Sequence, residues 1–216
     1  MDSTKKSSGM SQLRNSKGFT LIEMAIVLVI IGIIIGAVVK GQDLVENAKS
    51  KQFASKLQAW QIALNTYYDR KGRYPGDDAK DGIIQSGDTN TPLADINSAS
   101  FTTAPEDSFT IGGTAFKVKL GNNGAVPFKN YLVVCKDDTC STAYDPANST
   151  DLMSLKFFEA YDTAIDGSAN ATTGTVQGFT SVTAAAGAKV TALSGTPAST
   201  DWLGVSTIKA LAYQIK

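Results

Sequence analysis

The sequence predicts an α+β chain in which one long N-terminal helix packs on a small antiparallel sheet. Three observations carry that expectation. An apolar run from Phe19 to Val39 continues into residues 42–70, which hold neither Gly nor Pro. Two β-rich runs, "TAFKVKL" (114–120) and "VPFKNYLVVC" (126–135), flank the turn-forming "GNNGA". A second helix-period stretch, "DLMSLKFFEAYDTAID", occupies 151–166.

The apolar run comes first. From Phe19 to Val39 only Thr20 and Glu23 are strongly polar. At about 1.5 Å per residue this stretch makes roughly 31 Å of helix, the thickness of a bilayer core. Lys40 closes it. Residues 1–18 carry Lys5, Lys6, Arg14 and Lys17 against Asp2, a net of +3, while the remainder holds 16 basic and 19 acidic residues. The positive-inside rule therefore keeps residues 1–18 in the cytoplasm and exports the chain beyond Lys40. A secretory signal peptide has a shorter apolar region ending in a small-residue cleavage site, and no such site separates the run from Lys40. Glu23 admits two readings. It is an interfacial carboxylate that snorkels toward the headgroups, or it meets a cation once helices associate. Gly32 and Gly36 form a small-xxx-small pattern that lets membrane helices approach closely.

In residues 42–70, Phe53, Leu57, Trp60, Leu64 and Tyr67 recur at spacings of four and three, which gives one apolar stripe. Lys49, Lys56, Gln61 and Asp69 are assigned to the opposite face. Gly72 and Pro75-Gly76 end the helix. The two helical stretches together amount to a rod of about 50 residues, on the order of 75 Å long. Residues 79–114, rich in Asp, Ser, Thr, Gly and Asn, read as a long loop. The runs 114–120 and 126–135 read as a hairpin, with Asn and Gly suited to positive φ between them. The stretch 151–166 is an amphipathic helix ending at Gly167. From 168 to 200 the chain is mostly Ser, Thr, Ala and Gly, with short β-prone pieces such as "GTVQGFTSV". The C-terminal "STIKALAYQIK" reads as an edge or closing strand, with helix as the other reading.

Composition narrows the chemistry. The chain contains no His, which excludes histidine-based catalysis and ligation, and its two cysteines are too few for a cysteine-only zinc site. In an exported domain a disulfide is the default for Cys135 and Cys140, contributing about 2 kcal/mol at most by loop entropy. No nucleotide-binding G-x-x-x-x-G-K-[ST] occurs, and the mildly acidic body gives no electrostatic reason to expect nucleic acid. With no readable pair of catalytic carboxylates, no enzyme, cofactor or metal is expected. The oxygen-rich "YDTAIDGSANATTG" and "PGDDAKDG" lack EF-hand spacing and read as solvated turns, with calcium as the other reading. Asn148-Ser-Thr150 and Asn170-Ala-Thr172 match the short N-glycosylation pattern.

A basic leader, Gly18-Phe19, "TLIE" and an unbroken apolar span succeed one another in order. This arrangement resembles the class III signal of type IV prepilins and type II secretion pseudopilins. The resemblance implies cleavage after Gly18 by a prepilin peptidase, methylation of the new amine at Phe19, and neutralisation of a neighbouring subunit's amine by Glu23. "GQDLVENAK" and "YYDRKGRYPGDD" are similar to elements of a group of bacterial prepilin-like proteins, so the likeness covers residues 18–78.

The family implies a leader at 1–18, a transmembrane and assembly helix at 19–40, an amphipathic continuation of the spine at 41–72 and an α+β head at 73–216. It implies a filament subunit, held in the inner membrane with its head in the periplasm and then placed in a surface pilus or periplasmic pseudopilus. The implied partners are other subunits, the prepilin peptidase, and the inner-membrane assembly platform with its ATPase. Major pilin, minor pilin and pseudopilin stay open, as does a membrane-anchored exported binding domain that never polymerises. Major pseudopilins hold a calcium ion. In related pilins the helix melts past a glycine in this region during assembly, often before a proline; here Lys40-Gly41 stands at that place.

Overall fold

The computed structural model describes residues 18–84, 91–99, 104–185, 189–204 and 207–215. It divides into two compact units, Met1–Leu44 and Val45–Lys216. Helix α1, Leu21–Lys71, contributes to both. The first unit consists, among the described residues, of the start of α1 and the three residues before it.

The second unit is α+β, as the sequence predicts. The apolar stripe of α1 is its spine: Phe53, Leu57, Trp60, Leu64 and Tyr67 are all buried. Phe53 lies within ring-contact distance of Phe116 (5.1 Å), Phe158 (5.7 Å), Phe157 (6.0 Å), Tyr161 (6.1 Å) and Phe109 (6.2 Å). The helix ends where Gly72 adopts φ +67°, its amide donating to the Tyr68 carbonyl. Lys49, Lys56 and Gln61 do not sit on the far face as expected; they are half-buried along the flanks of the stripe. Their long side chains lie over the rim and find partners there. Lys56 pairs with Glu106 (2.9 Å), Gln61 donates to the Tyr161 hydroxyl (2.7 Å), and Lys49 lies over Gly112. Asp69 is exposed.

The expected loop at 79–114 is not structureless. Thr91 caps a short helix α2, Pro92–Ser98, by accepting from the Ala94 amide, and Pro92 occupies its first turn. Strand β1, Ser108–Ile111, turns through Gly112-Gly113 into β2, Thr114–Asn122. Both glycines have positive φ (61° and 88°), as a two-residue hairpin of this hand requires. The expected hairpin between β2 and β3, Asn130–Cys135, is present, but its connection runs from 123 to 129. Only Gly124 takes positive φ there. Asn122 instead accepts from the Gly124 amide and Asn123 from the Lys129 amide, so the asparagines act through their side chains.

Helix α3, Ser149–Asp166, starts at its cap Asn148 and stops at Gly167 with φ +80°. Strands β4, Val176–Phe179, β5, Ser181–Ala185, β6, Lys189–Ser194, and β7, Ala210–Gln214, complete a seven-stranded sheet, with a 3₁₀ turn at Trp202–Gly204. The order is β4-β7-β3-β2-β6-β5, with β1 also on β2. All pairings are antiparallel except β2 with β6. That parallel approach needs Gly121, because a Cβ there would collide with the Val190 carbonyl. Strand β7 is no edge. It lies between β3 and β4, and its Ala210, Leu211 and Ala212 are buried because both faces of the sheet are covered. Against α1 and α3 lie Leu132, Val134 and Leu211; on the other face Tyr131, Val133, Ala210 and Ala212 join Phe179, Val190 and Leu193 in a second cluster.

Candidate processing and assembly site

The first unit is apolar and open. None of residues 18–40 is buried, and Phe19 and Leu21 are 80% and 92% exposed. By length and composition α1 can cross a membrane, and its most apolar window has no residue buried inside the protein. Among the described residues, a Cβ at Gly32, Gly36 or Gly41 would meet nothing within 4 Å, which leaves room there for lipid or another helix.

Gly18 and Phe19 precede the helix, in the open chain before its first turn. Of the expected leader only Gly18 falls within the described residues; the basic residues Lys5, Lys6, Arg14 and Lys17 lie outside them. Glu23 sits in the first turn and folds back on Thr20. The Thr20 amide and hydroxyl donate to Glu23 Oε2 at 2.7 and 2.8 Å, and the Glu23 amide donates to Thr20 Oγ1 at 3.3 Å. This is a capping box, in which threonine and glutamate satisfy each other's free amides at a helix start. A carboxylate beside the first turn also complements the positive end of the helix dipole. Thr20 was legible as part of this site, since T-x-x-E before an apolar run is the signature of the motif. The capping box thus accounts for Glu23 at a helix start; a contact with a neighbour's amine requires an exchange of partners.

Cys135 and Cys140 form a disulfide, closing the turn after β3. Both cysteines are buried, and Cys140 takes φ +53°. Asp137 organises the loop by accepting from the Thr139 amide and hydroxyl (2.8 and 2.7 Å), the Ser141 amide (3.2 Å) and the Thr142 amide (2.8 Å). Burial pushes its carboxyl up, but hydrogen bonds from Thr142, Thr139 and Ser141 outweigh it and hold the group well below the usual carboxylate range.

The oxygen-rich stretches are bound up in the protein's own amides. Asp77 accepts from the Asp81 and Gly82 amides, and Asp95 from Arg73 (2.8 Å) and the Gly76 amide. Among the described residues no group of three or more acidic or cysteine side chains is arranged to hold a metal. Asn148 uses its side-chain oxygen to cap α3, and Asn170 uses its own on Thr172.

Residues 13–39 match the prokaryotic N-terminal methylation motif. The segment that carries the greasy helix, the Gly18-Phe19 junction and the Thr20–Glu23 box is therefore a prepilin-type signal, as found on type IV pilins and pseudopilins. The match is confined to this N-terminal segment, and it supports a pilin-like or pseudopilin reading. Comparison with the curated proteins and with the solved structures gave no match to the chain.

Proposed function

We propose that the chain is a structural subunit of a type IV pilus-like filament, cleaved after Gly18, methylated on Phe19 and assembled through its N-terminal helix. One observation carries the reading: a matched prepilin-type signal heads a helix whose apolar surface, from residue 18 to 40, has no cover among the described residues. Such a surface needs lipid before assembly and other helices after it. On this reading residues 1–18 are a leader, 19–40 the membrane and assembly segment, 41–72 the continuing spine and 73–216 an exported head.

Cleavage after Gly18 turns Phe19 into an amine one helical turn from Glu23. An amine of a neighbouring subunit would draw the Glu23 carboxylate from its two Thr20 donors into an ion pair, which in a lipid-like medium is worth more than in water. The prepilin peptidase and an assembly platform with its ATPase are the implied partners. The disulfide-closed head fits an oxidising compartment.

Mass spectrometry of the N-terminal peptide tests this, with sheared extracellular material and membranes taken separately. N-methyl-Phe19 in the sheared fraction supports a pilus subunit. The same peptide confined to membranes supports a pseudopilin or minor pilin instead. An uncleaved Met1–Gly18 leader in both fractions refutes the processing, and a Glu23→Ala protein that enters filaments normally refutes the assembly contact.

A further inference from the structure

The C-terminal end of α3 holds two carboxylates one turn apart, Asp162 and Asp166, and they are treated differently. Asp162 is fully buried. Both of its donors, the Asn170 amide (2.7 Å) and Trp202 Nε1 (2.8 Å), converge on a single oxygen, Oδ2. The other oxygen, Oδ1, is buried with no hydrogen-bond donor. Asp166 receives the Thr175 and Val176 amides on its own Oδ2 at 2.7 and 2.9 Å. Gly174, at φ +105°, lets the strap 167–175 close on Asp166, where a Cβ would strike the carboxylate.

We infer that Asp162 carries a proton on Oδ1 and donates it to Asp166, so that an acid–carboxylate pair fastens the end of α3 to the strap and to Trp202. The hydrogen-bond pattern is that of a neutral acid: a carbonyl oxygen taking two donors and a hydroxyl oxygen needing an acceptor. An ionised Asp162 would leave a buried anionic oxygen without a donor, beside a like charge and at the negative end of a helix. Among the described residues, the neighbouring elements bring no cation to relieve it. Residues 167–176 contain no charged residue. Asp201, ahead of Trp202, is exposed and accepts from the Leu203 amide. On β2, Lys117 pairs with Asp138, and Lys119 is acted on chiefly by Asp138 and Asp107; on α1, Gln61 meets α3 at Tyr161, and Lys56 is held by Glu106. Burial, with Asp166 adding to it, raises the Asp162 carboxyl above its ordinary value despite the Trp202 and Asn170 hydrogen bonds. Because the folded-state value is raised, the pair's contribution is complete below the unfolded value near about 3.9 and is lost as pH rises through the folded one. The head is then fastened more firmly in acid.

The test is a ¹³C-carboxyl NMR titration of the full chain in detergent micelles, with the Asp162 signal assigned by its loss in Asp162→Asn. The expected midpoint lies at least about one pH unit above 3.9, and Asp166→Asn moves it down. A midpoint at or below the ordinary value overturns the inference. In thermal melts at neutral pH, Asp162→Asn, which keeps the acceptor and supplies a permanent donor, should melt no lower than wild type. A lower melting temperature overturns the inference. So does a rise in wild-type melting temperature with added CaCl₂ that Asp162→Asn abolishes, since a cation rather than a proton would then join the pair. None of these results bears on processing at Gly18.

Discussion

Phe53→Ala isolates the helix–sheet contact on which the head depends. Phe53 is fully buried on α1 and touches five other rings, two from β1 and β2 and three from α3. Truncating a buried Phe to Ala removes its transfer energy and leaves a cavity, together about 3–5 kcal/mol. Because this one ring joins α1 to both the sheet and α3, the upper half of that range is expected. With a domain of this size shifting by about 2–4 °C per kcal/mol, the melting temperature should fall by roughly 8–20 °C. Tryptophan fluorescence is the natural assay. The chain has two tryptophans, Trp60 and Trp202, and both are buried in the core cluster that contains Phe53. Phe53→Leu, which retains most of the volume, should cost about 1–2 kcal/mol. A Phe53→Ala loss below about 1 kcal/mol would refute the argument that the stripe of α1 is the head's structural spine.

Four further outcomes are expected. Thr20→Val removes both hydroxyl bonds of the capping box and should loosen the first turn by about 1 kcal/mol, seen as faster amide exchange at residues 21–24; unchanged exchange would show the box to be idle. Cys135→Ser with Cys140→Ser should cost about 2 kcal/mol in chemical denaturation, and no loss would mean the turn is held by Asp137 alone. Asp137→Asn should destabilise the head at neutral pH. The folded-state value of Asp137 is depressed, so its contribution is present above the unfolded value and disappears as pH falls, and the gap to wild type should close in acid melts. Lys119 is 3% exposed and is pushed below the ordinary lysine value by burial, which the nearby Asp138 and Asp107 carboxylates only partly offset. Lys119→Met should therefore stabilise the head by about 1 kcal/mol or more, and a loss of that size would reveal a contact the ammonium needs.

Where the chain keeps to a single period, its sequence was readable. The stripe from Phe53 to Tyr67 and the helix 151–166 obey the 3.6-residue repeat, and each is bounded by a glycine that does take positive φ, Gly72 and Gly167. The Gly18–Glu23 stretch was readable for a different reason, because its order of residue types is rare. The C-terminal strand is present, but the edge position allowed for it fails because "ALAYQ" is largely apolar on both faces; continuous apolar runs signal an interior strand, whereas an edge strand alternates. The β1 hairpin was lost inside a polar stretch although "TIGGT" carried its turn. The parallel β2–β6 pairing had no local signal at all, since Gly121 and Val190 are brought together only by the whole sheet. The flanking lysines of α1 were misassigned for a related cause. Periodicity marks the centre of a buried stripe, but a rim partner such as Glu106 comes from a distant part of the chain that a helical repeat cannot rank.

The two units solve the same physical problem in opposite ways. In the head, polar groups removed from water are satisfied by other parts of the same chain: Trp60 Nε1 by the Glu106 carbonyl, Asp95 by Arg73 and Gly76, Asn130 by the Gly82 carbonyl and the Ile84 amide. Residues 18–40 hold no such long-range bond among the described residues; Glu23 is served within a single turn by Thr20. A segment that satisfies its polar groups locally and its apolar surface not at all is suited to changing solvent, from lipid to a bundle of like helices, without refolding. The head, whose contacts are long-range, would be carried through that change intact. The Thr20–Glu23 box is the one polar element that must rearrange if Glu23 meets a neighbour's amine. On the proposed exchange, Thr20→Val should therefore impair assembly far less than Glu23→Ala, because Thr20 would serve the carboxylate only before it.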